Sequence, residues 1–224
     1  MGIHDSIPVI AIDGPSASGK GAVSKKVSNT LGFHYLESGL LYRAAAFVAI
    51  NNNLPLEGNL VSEFISKQKI SWSEDGSILV NGNICTRLYD PEVSLAASRV
   101  SRIPSVRKFL MRLQMDRLRE PGLVADGRDM GTVVFPNAIL KVFLTATAEV
   151  RAKRRFLQLK QHNSCVRINE VLREILLRDS YDSTREYSSL VAAENAVIID
   201  STDQSLDCVV DEVLFHASQR IYNL

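Results

Sequence analysis

Several groups of residues in this chain have the types and spacing to handle an anion. The first is Gly14-Pro15-Ser16-Ala17-Ser18-Gly19-Lys20-Gly21-Ala22, in which two glycines bracket four residues and a lysine follows at once. Such a loop turns successive backbone N–H groups inward while the lysine adds a mobile positive charge, so phosphate is the ligand it suits. A Ser or Thr after the lysine would ordinarily place a hydroxyl on Mg²⁺. Here Gly21 and Ala22 stand in its place, with Ser16 and Ser18 nearby and Ser24 a further half-turn along the helix. The metal is therefore expected to rest mainly on phosphate oxygens and water, because Mg²⁺ keeps several waters and needs few protein ligands. No protein ligand is assigned to it, with Asp126 a candidate through water.

The second group is "DGRDMGTVVFP", which sets Asp126, Arg128 and Asp129 at the end of an apolar run. Charges at the carboxyl end of a strand in an open parallel sheet point to where ligands bind; a structural ion pair is the plainer account. In "ESGLLYR", Ser38 reads as a helix N-cap and Arg43 adds a fork of donors. In "RDSYDSTR", Arg178, Asp182 and Arg185 fall at i, i+4 and i+7 on one helical face. Taken alone, an i,i+4 ion pair on a solvated face is the cheaper and favoured account of them. Arg151, Arg154 and Arg155 crowd one helix, which by itself reads as a solvated basic face or a nucleic-acid patch.

The elements that must position these residues alternate. Residues 7–12 form an apolar run ending in Asp13-Gly14, as a buried parallel strand does, and helical spacing follows from Lys20 until Gly32. "FHYLES" reads as a strand and "SGLLYRAAAFVAINN" as a helix. From Leu54 the texture changes, and "KISWSEDGSILVNGNICT", with Asp75-Gly76 and Asn81-Gly82, predicts a small antiparallel insertion. Helices are expected from Pro91 to Val100 and Pro104 to Arg119, each with Pro in its first turn. "GLVADGRD", "AILKVFLTA" and "NAVIID" read as further strands, with helices near 147–160, 167–182 and 204–221. Strands alternating with helices imply α/β architecture with a covered parallel sheet.

Bulk properties narrow the classes. The chain has 224 residues, 46% hydrophobic and 23% charged, enough for one domain with insertions. Lys and Arg total 26 against 25 Asp and Glu, so no global field recruits nucleic acid or an anionic membrane. Cys85, Cys165 and Cys208 lie far apart, without zinc spacing, and fit reduced thiols in a cytoplasmic setting. The opening "MGIHDSIPVIAID" lacks a basic segment, so no signal peptide is expected, and no apolar run reaches membrane length. Gly2 and Ser6 match a loose myristoylation pattern, read here as coincidence. His4, His34, His162 and His216 lie outside every motif.

Taken in order, "IDGPSASGKG", "ESGLLYRAAA", "ADGRDMGTVVFP" and "RDSYDSTR" resemble the bacterial cytidylate kinases, through most of the chain. The resemblance implies a P-loop NTPase-type three-layer fold with a central parallel sheet. It also implies a single kinase domain, with a core of about 1–37, 100–150 and 183–224. A monophosphate-binding region containing the small antiparallel sheet covers about 38–99, and a short helical lid about 151–170. The activity implied is ATP-dependent phosphorylation of CMP and dCMP, with Mg²⁺, by a cytoplasmic monomer. Carried over by position, Gly14 to Ala22 with Lys20 would bind ATP. Ser38, Arg43, Arg128 and Arg185 would surround the CMP phosphate and the transferred group. Ser98, Arg107 and Asp129 would meet cytosine, Arg178 and Asp182 the ribose, and Arg154 is the lid arginine assigned a catalytic part. Rival readings are a kinase of another small acceptor, a nucleotide switch (whose Asn-Lys-x-Asp motif is missing from the chain), and a nucleic-acid module.

Overall fold

In the computed structural model the described residues are 7–73, 76–161, 166–184 and 188–221. Gly2, Ser6, Asp75, Cys165 and Arg185, together with His4 and His162, lie outside them. The chain divides into two compact units, residues 1–34 with 119–224, and residues 35–118.

The first unit is built on a five-stranded sheet. Its strands are β1 (Val9–Asp13), β2 (His34–Glu37), on which the chain passes into the second unit, β6 (Leu123–Gly127), β7 (Leu140–Thr145) and β8 (Val197–Asp200), in the order β2-β6-β1-β7-β8. The pairings of β1 with β6, β1 with β7 and β7 with β8 are parallel. Every residue of β1 and β6 is buried, so both faces of the sheet centre are covered. Ile10, Ile12, Val124, Leu140, Val142 and Leu144 pack with Val23 and Val27 of α1 (Lys20–Leu31) and Val209 and Val213 of α8 (Leu206–Ile221). The helix α1 stops where the spacing predicts, with Gly32 in the left-handed region at φ 68°.

Register decides what leaves the sheet together. Asp13, the last residue of β1, lies opposite Gly127, the last of β6. The glycine-rich loop and the segment carrying Arg128 and Asp129 therefore emerge side by side at the carboxyl edge. Helices α6 (Ala148–Gln161) and α7 (Ile168–Ser183) complete the unit around a small cluster of Ala152, Leu159, Val171 and Ile175.

The second unit has its own core. Its α2 (Ser38–Asn51) is rich in buried alanines, which let α4 (Pro91–Val100) approach closely. α3 (Leu60–Ser66) and α5 (Pro104–Met115) supply the fully buried Ile65 and Leu110. Each such side chain contributes roughly 1.5–3 kcal/mol on burial. The insertion predicted from alternation is a three-stranded antiparallel sheet of β3 (Ile70–Trp72), β4 (Ile78–Val80) and β5 (Asn83–Ile84). Asn81 and Gly82 join the last two with φ of 53° and 83°, the paired positive angles of a two-residue hairpin. Three details differ from the sequence reading, the first being that α5 ends at Met115 and not at Arg119. Ser38 is the first residue of α2 and Glu37 occupies the cap, because the strand runs directly into the helix. The helix α3 was not expected, since "LVSEFIS" is too short to display a period.

Candidate active site

The loop between β1 and α1 is shaped by contacts that only certain residues allow. Gly14 has φ 153°, and a Cβ there would sit 2.0 Å from the carbonyl oxygen of Leu144 on β7. That oxygen is backbone and cannot retreat. Gly14→Ala is therefore expected to abolish nucleotide binding, or folding of the loop, which a fluorescent ATP-analogue titration beside a melting curve would separate. Gly19 caps α1 in the left-handed region, at φ 98°. Lys20, the first helical residue, is buried and its Nζ donates to the carbonyl of Pro15 at 2.8 Å. The Ser18 and Ser24 hydroxyls are fully buried and have no hydrogen-bond partner among the described residues.

Around Lys20 the charges converge. Burial, with the guanidinium groups of Arg128 and Arg178 nearby, pushes its ammonium down to about 7, while Asp126 and Asp182 hold it up. Five sequence-predicted site residues, from α1, β6, the segment after β6, and α7, thus share one electrostatic neighbourhood. Arg128 Nε donates to Asp182 Oδ2 at 2.7 Å, with the Asp182 side chain fully buried. A second Arg128 bond goes to the carbonyl of Gly127. Asp182 therefore does not lie on a solvated face: its carboxylate is fully buried and accepts from an arginine 54 positions away.

Two residues of this site were missed by sequence reasoning. Asp13 accepts from the backbone N–H groups of Met130 and Gly131, each at 2.8 Å. Burial and the nearby Asp129 push its carboxyl up to about 6, against the pull of those two bonds and of Lys20. The second is Asp179, which meets Arg151 through both oxygens, at 3.0 and 2.6 Å. Arg151 also donates to Ala146 on one side and to Ser16 of the loop on the other. Its buried side chain thus ties α6, α7 and the loop together. Of the three clustered arginines, Arg154 lies beside the loop's far end, donating to the Ser18 carbonyl and to Ser201.

Four of the remaining predicted residues belong to the second unit. Ser38 is buried at the start of α2. Arg43 donates to the carbonyl of Leu88 and to the Ser94 hydroxyl, and lies over the Tyr89 ring at 5.3 Å. Arg107 donates to the Ser101 carbonyl and lies over Tyr42. The Ser98 hydroxyl is buried without a hydrogen-bond partner among the described residues. Arg185 falls outside the described residues.

Suitability for Mg²⁺ can be judged from the donors present. Among the described residues no three His, Cys, Asp or Glu side chains gather as a metal cage. The buried Asp126 carboxylate lies within electrostatic reach of Lys20 at the mouth of the loop. One carboxylate with phosphates and water suits Mg²⁺, which dehydrates reluctantly.

A glycine loop between the central strand of a parallel sheet and a helix, with cations converging on its lysine, defines a P-loop phosphotransferase. A solved structure of an uncharacterized protein from Eubacterium ventriosum shares the fold with a TM-score of 0.50 at 14% identity, over 95% of this chain and 99% of that one. The chain belongs to the cytidylate kinase family, whose model matches residues 10–219. The cytidylate kinase of Pseudomonas aeruginosa (strain LESB58) is 41% identical over 97% of this chain and 98% of its own length. That of Caldicellulosiruptor bescii is 43% identical over 92% and 93%.

Proposed function

We propose that this chain transfers the γ-phosphoryl group of ATP to CMP and dCMP, forming CDP and dCDP, as a monomer in the cytoplasm. The observation that carries the reading is the crowding of Arg128 and Arg178 on a buried Lys20, whose ammonium is pushed down to about 7. Such an excess of positive charge is relieved by phosphate, and family membership names the acceptor. No helix among the described residues is long and apolar enough to cross a membrane. The even balance of charge, 26 against 25, gives nucleic acid no field to follow.

In this reading residues of about 38–99, within the unit of residues 35–118, form the monophosphate-binding region and the segment about 151–170 the lid. Loop backbone from Gly14 to Ala22 and Lys20 hold the ATP phosphates, with Arg154 beside them. Ser38, Arg43, Arg128 and Arg185 hold the acceptor phosphate, and Arg178 and Asp182 its ribose. Ser98, Arg107 and Asp129 read cytosine: a carboxylate accepts from the exocyclic amine, whereas uracil presents a carbonyl to it. Mg²⁺, when bound with ATP, would neutralise phosphate charge, and Asp126 is the residue that would hold it, through water. Attack is direct and in line, by an acceptor phosphate oxygen. That phosphate is already largely ionised at neutral pH, so no general base is required.

A coupled ADP-release assay with CMP, dCMP, UMP, AMP and GMP tests the reading across an Mg²⁺ titration. Turnover confined to CMP and dCMP is the expected result. Release of ADP that none of the five acceptors stimulates would overturn it.

A further inference from the structure

Asp13 has no part in the chemistry above, yet it is buried at the end of β1 and both its oxygens are engaged. They accept from two consecutive N–H groups, those that open the turn Met130–Val134. This turn is a single π-type coil, closed by bonds from Val134 to the carbonyl of Asp129 and from Phe135 to that of Met130. Isolated π turns are rare, and their first N–H groups have no partner within the turn. Here a carboxylate from a strand 117 residues earlier supplies both partners.

The residue that immediately precedes those N–H groups is Asp129. Its side chain is buried, and its backbone, at φ −147° and ψ 25°, belongs to neither strand nor helix. Its carbonyl already accepts from Val133 and Val134. Gly131 leaves room for the cap: a Cβ there would meet the Lys141 side chain at 3.2 Å and Asp13 Oδ2 at 3.4 Å. The cap, the missing Cβ and the unusual dihedrals all bear on one backbone step.

We propose that Asp13 is a positioning residue for acceptor selection: by capping the 130–134 turn it fixes the backbone on which Asp129 stands, and so aims that carboxylate. The inference rests on the reading of Asp129 as the group that meets cytosine. A single carboxylate does this because it offers two acceptors at the spacing of two successive N–H groups. An asparagine offers one acceptor and turns its own N–H₂ toward the second donor.

The test compares kcat/KM for CMP and UMP in the full chain, with melting curves, for Asp13→Asn, Gly131→Ala and Asp129→Asn. Asp13→Asn is expected to reduce the CMP-to-UMP ratio about tenfold, with a smaller change in KM for ATP. Gly131→Ala keeps the charge of Asp13 but presses on it from the other side, and is expected to lower the ratio in the same direction. It carries the test if Asp13→Asn does not fold, since its closest neighbour is a flexible lysine chain. A structural cap alone would lower turnover with both acceptors equally; that result, in either variant, overturns the proposal. An unchanged ratio in Asp129→Asn would instead overturn the reading of Asp129 as the base reader.

Discussion

Lys20→Met is expected to lower kcat by about 10²–10³-fold, the usual loss when one preorganised donor to developing charge is removed. The same variant should erase a proton signal. In the folded chain the Lys20 ammonium sits near 7, against 10.5 for an ordinary lysine, because it is buried beside Arg128 and Arg178. Bound phosphate reverses that balance by adding negative charge next to it, so nucleotide binding at about pH 8 draws a proton onto the amine. Calorimetric titration with a non-hydrolysable ATP analogue, in buffers of differing ionisation heat, reads the uptake directly. The unliganded protein carries the corollary in its stability. Here the unfolded chain holds a proton that the folded chain has released between pH 7 and 10.5. The contribution of this lysine therefore rises with pH through that window and is least favourable below it. A wild-type protein that binds the analogue with no buffer-dependent heat at pH 8 would refute the assignment of Lys20 to the phosphates.

Asp182→Ala is expected to be the most damaging change on α7, and damaging twice over. It leaves the Arg128 guanidinium without the fully buried carboxylate that accepts from its Nε. Removing one partner of such a pair typically costs about 3–5 kcal/mol, a fall in melting temperature of roughly 6–20 °C for a chain of this size. Arg128→Met combined with Asp182→Leu should recover much of that loss, since apolar replacement of both partners avoids the stranded charge. The double variant should nevertheless stay inactive, because both side chains belong to the proposed acceptor site. Stability is thus expected to recover in the double variant while turnover does not. A double variant no more stable than Asp182→Ala, in thermal melts at matched pH, would show that the pair is not the source of the cost.

Much of this was legible in the sequence because the signals are local. Gly14, Gly19 and Lys20 announce their loop by spacing, and Asn81-Gly82 announces a hairpin by backbone preference alone. Strands such as "VIAID" declare themselves by continuous apolarity between turn residues. What escaped was set by contacts between distant segments. Asp13 reads as the end of a strand; its bonds to Met130 and Gly131 exist only once β6 has paired with β1. Arg151 reads as one more charge on a basic helix, and only Asp179 on the neighbouring helix and Ser16 of the loop account for its burial. The π turn at 130–134 has no sequence period to detect, since a single coil repeats nothing.

The base of the excursion through residues 35–118 is clasped within the first unit. The backbone N–H of His34 donates to the carbonyl of Gly122, and the His34 ring meets that of Glu120. Departure and return are therefore pinned within a few residues of each other, before the second unit begins. An excursion with a clasped neck and a core of its own can be exchanged as a cassette. Grafting the corresponding segment from a relative onto this scaffold would exchange Ser38, Arg43, Ser98 and Arg107 together, with the donor loop, its lysine and the Asp13-capped turn beside Asp129 left untouched.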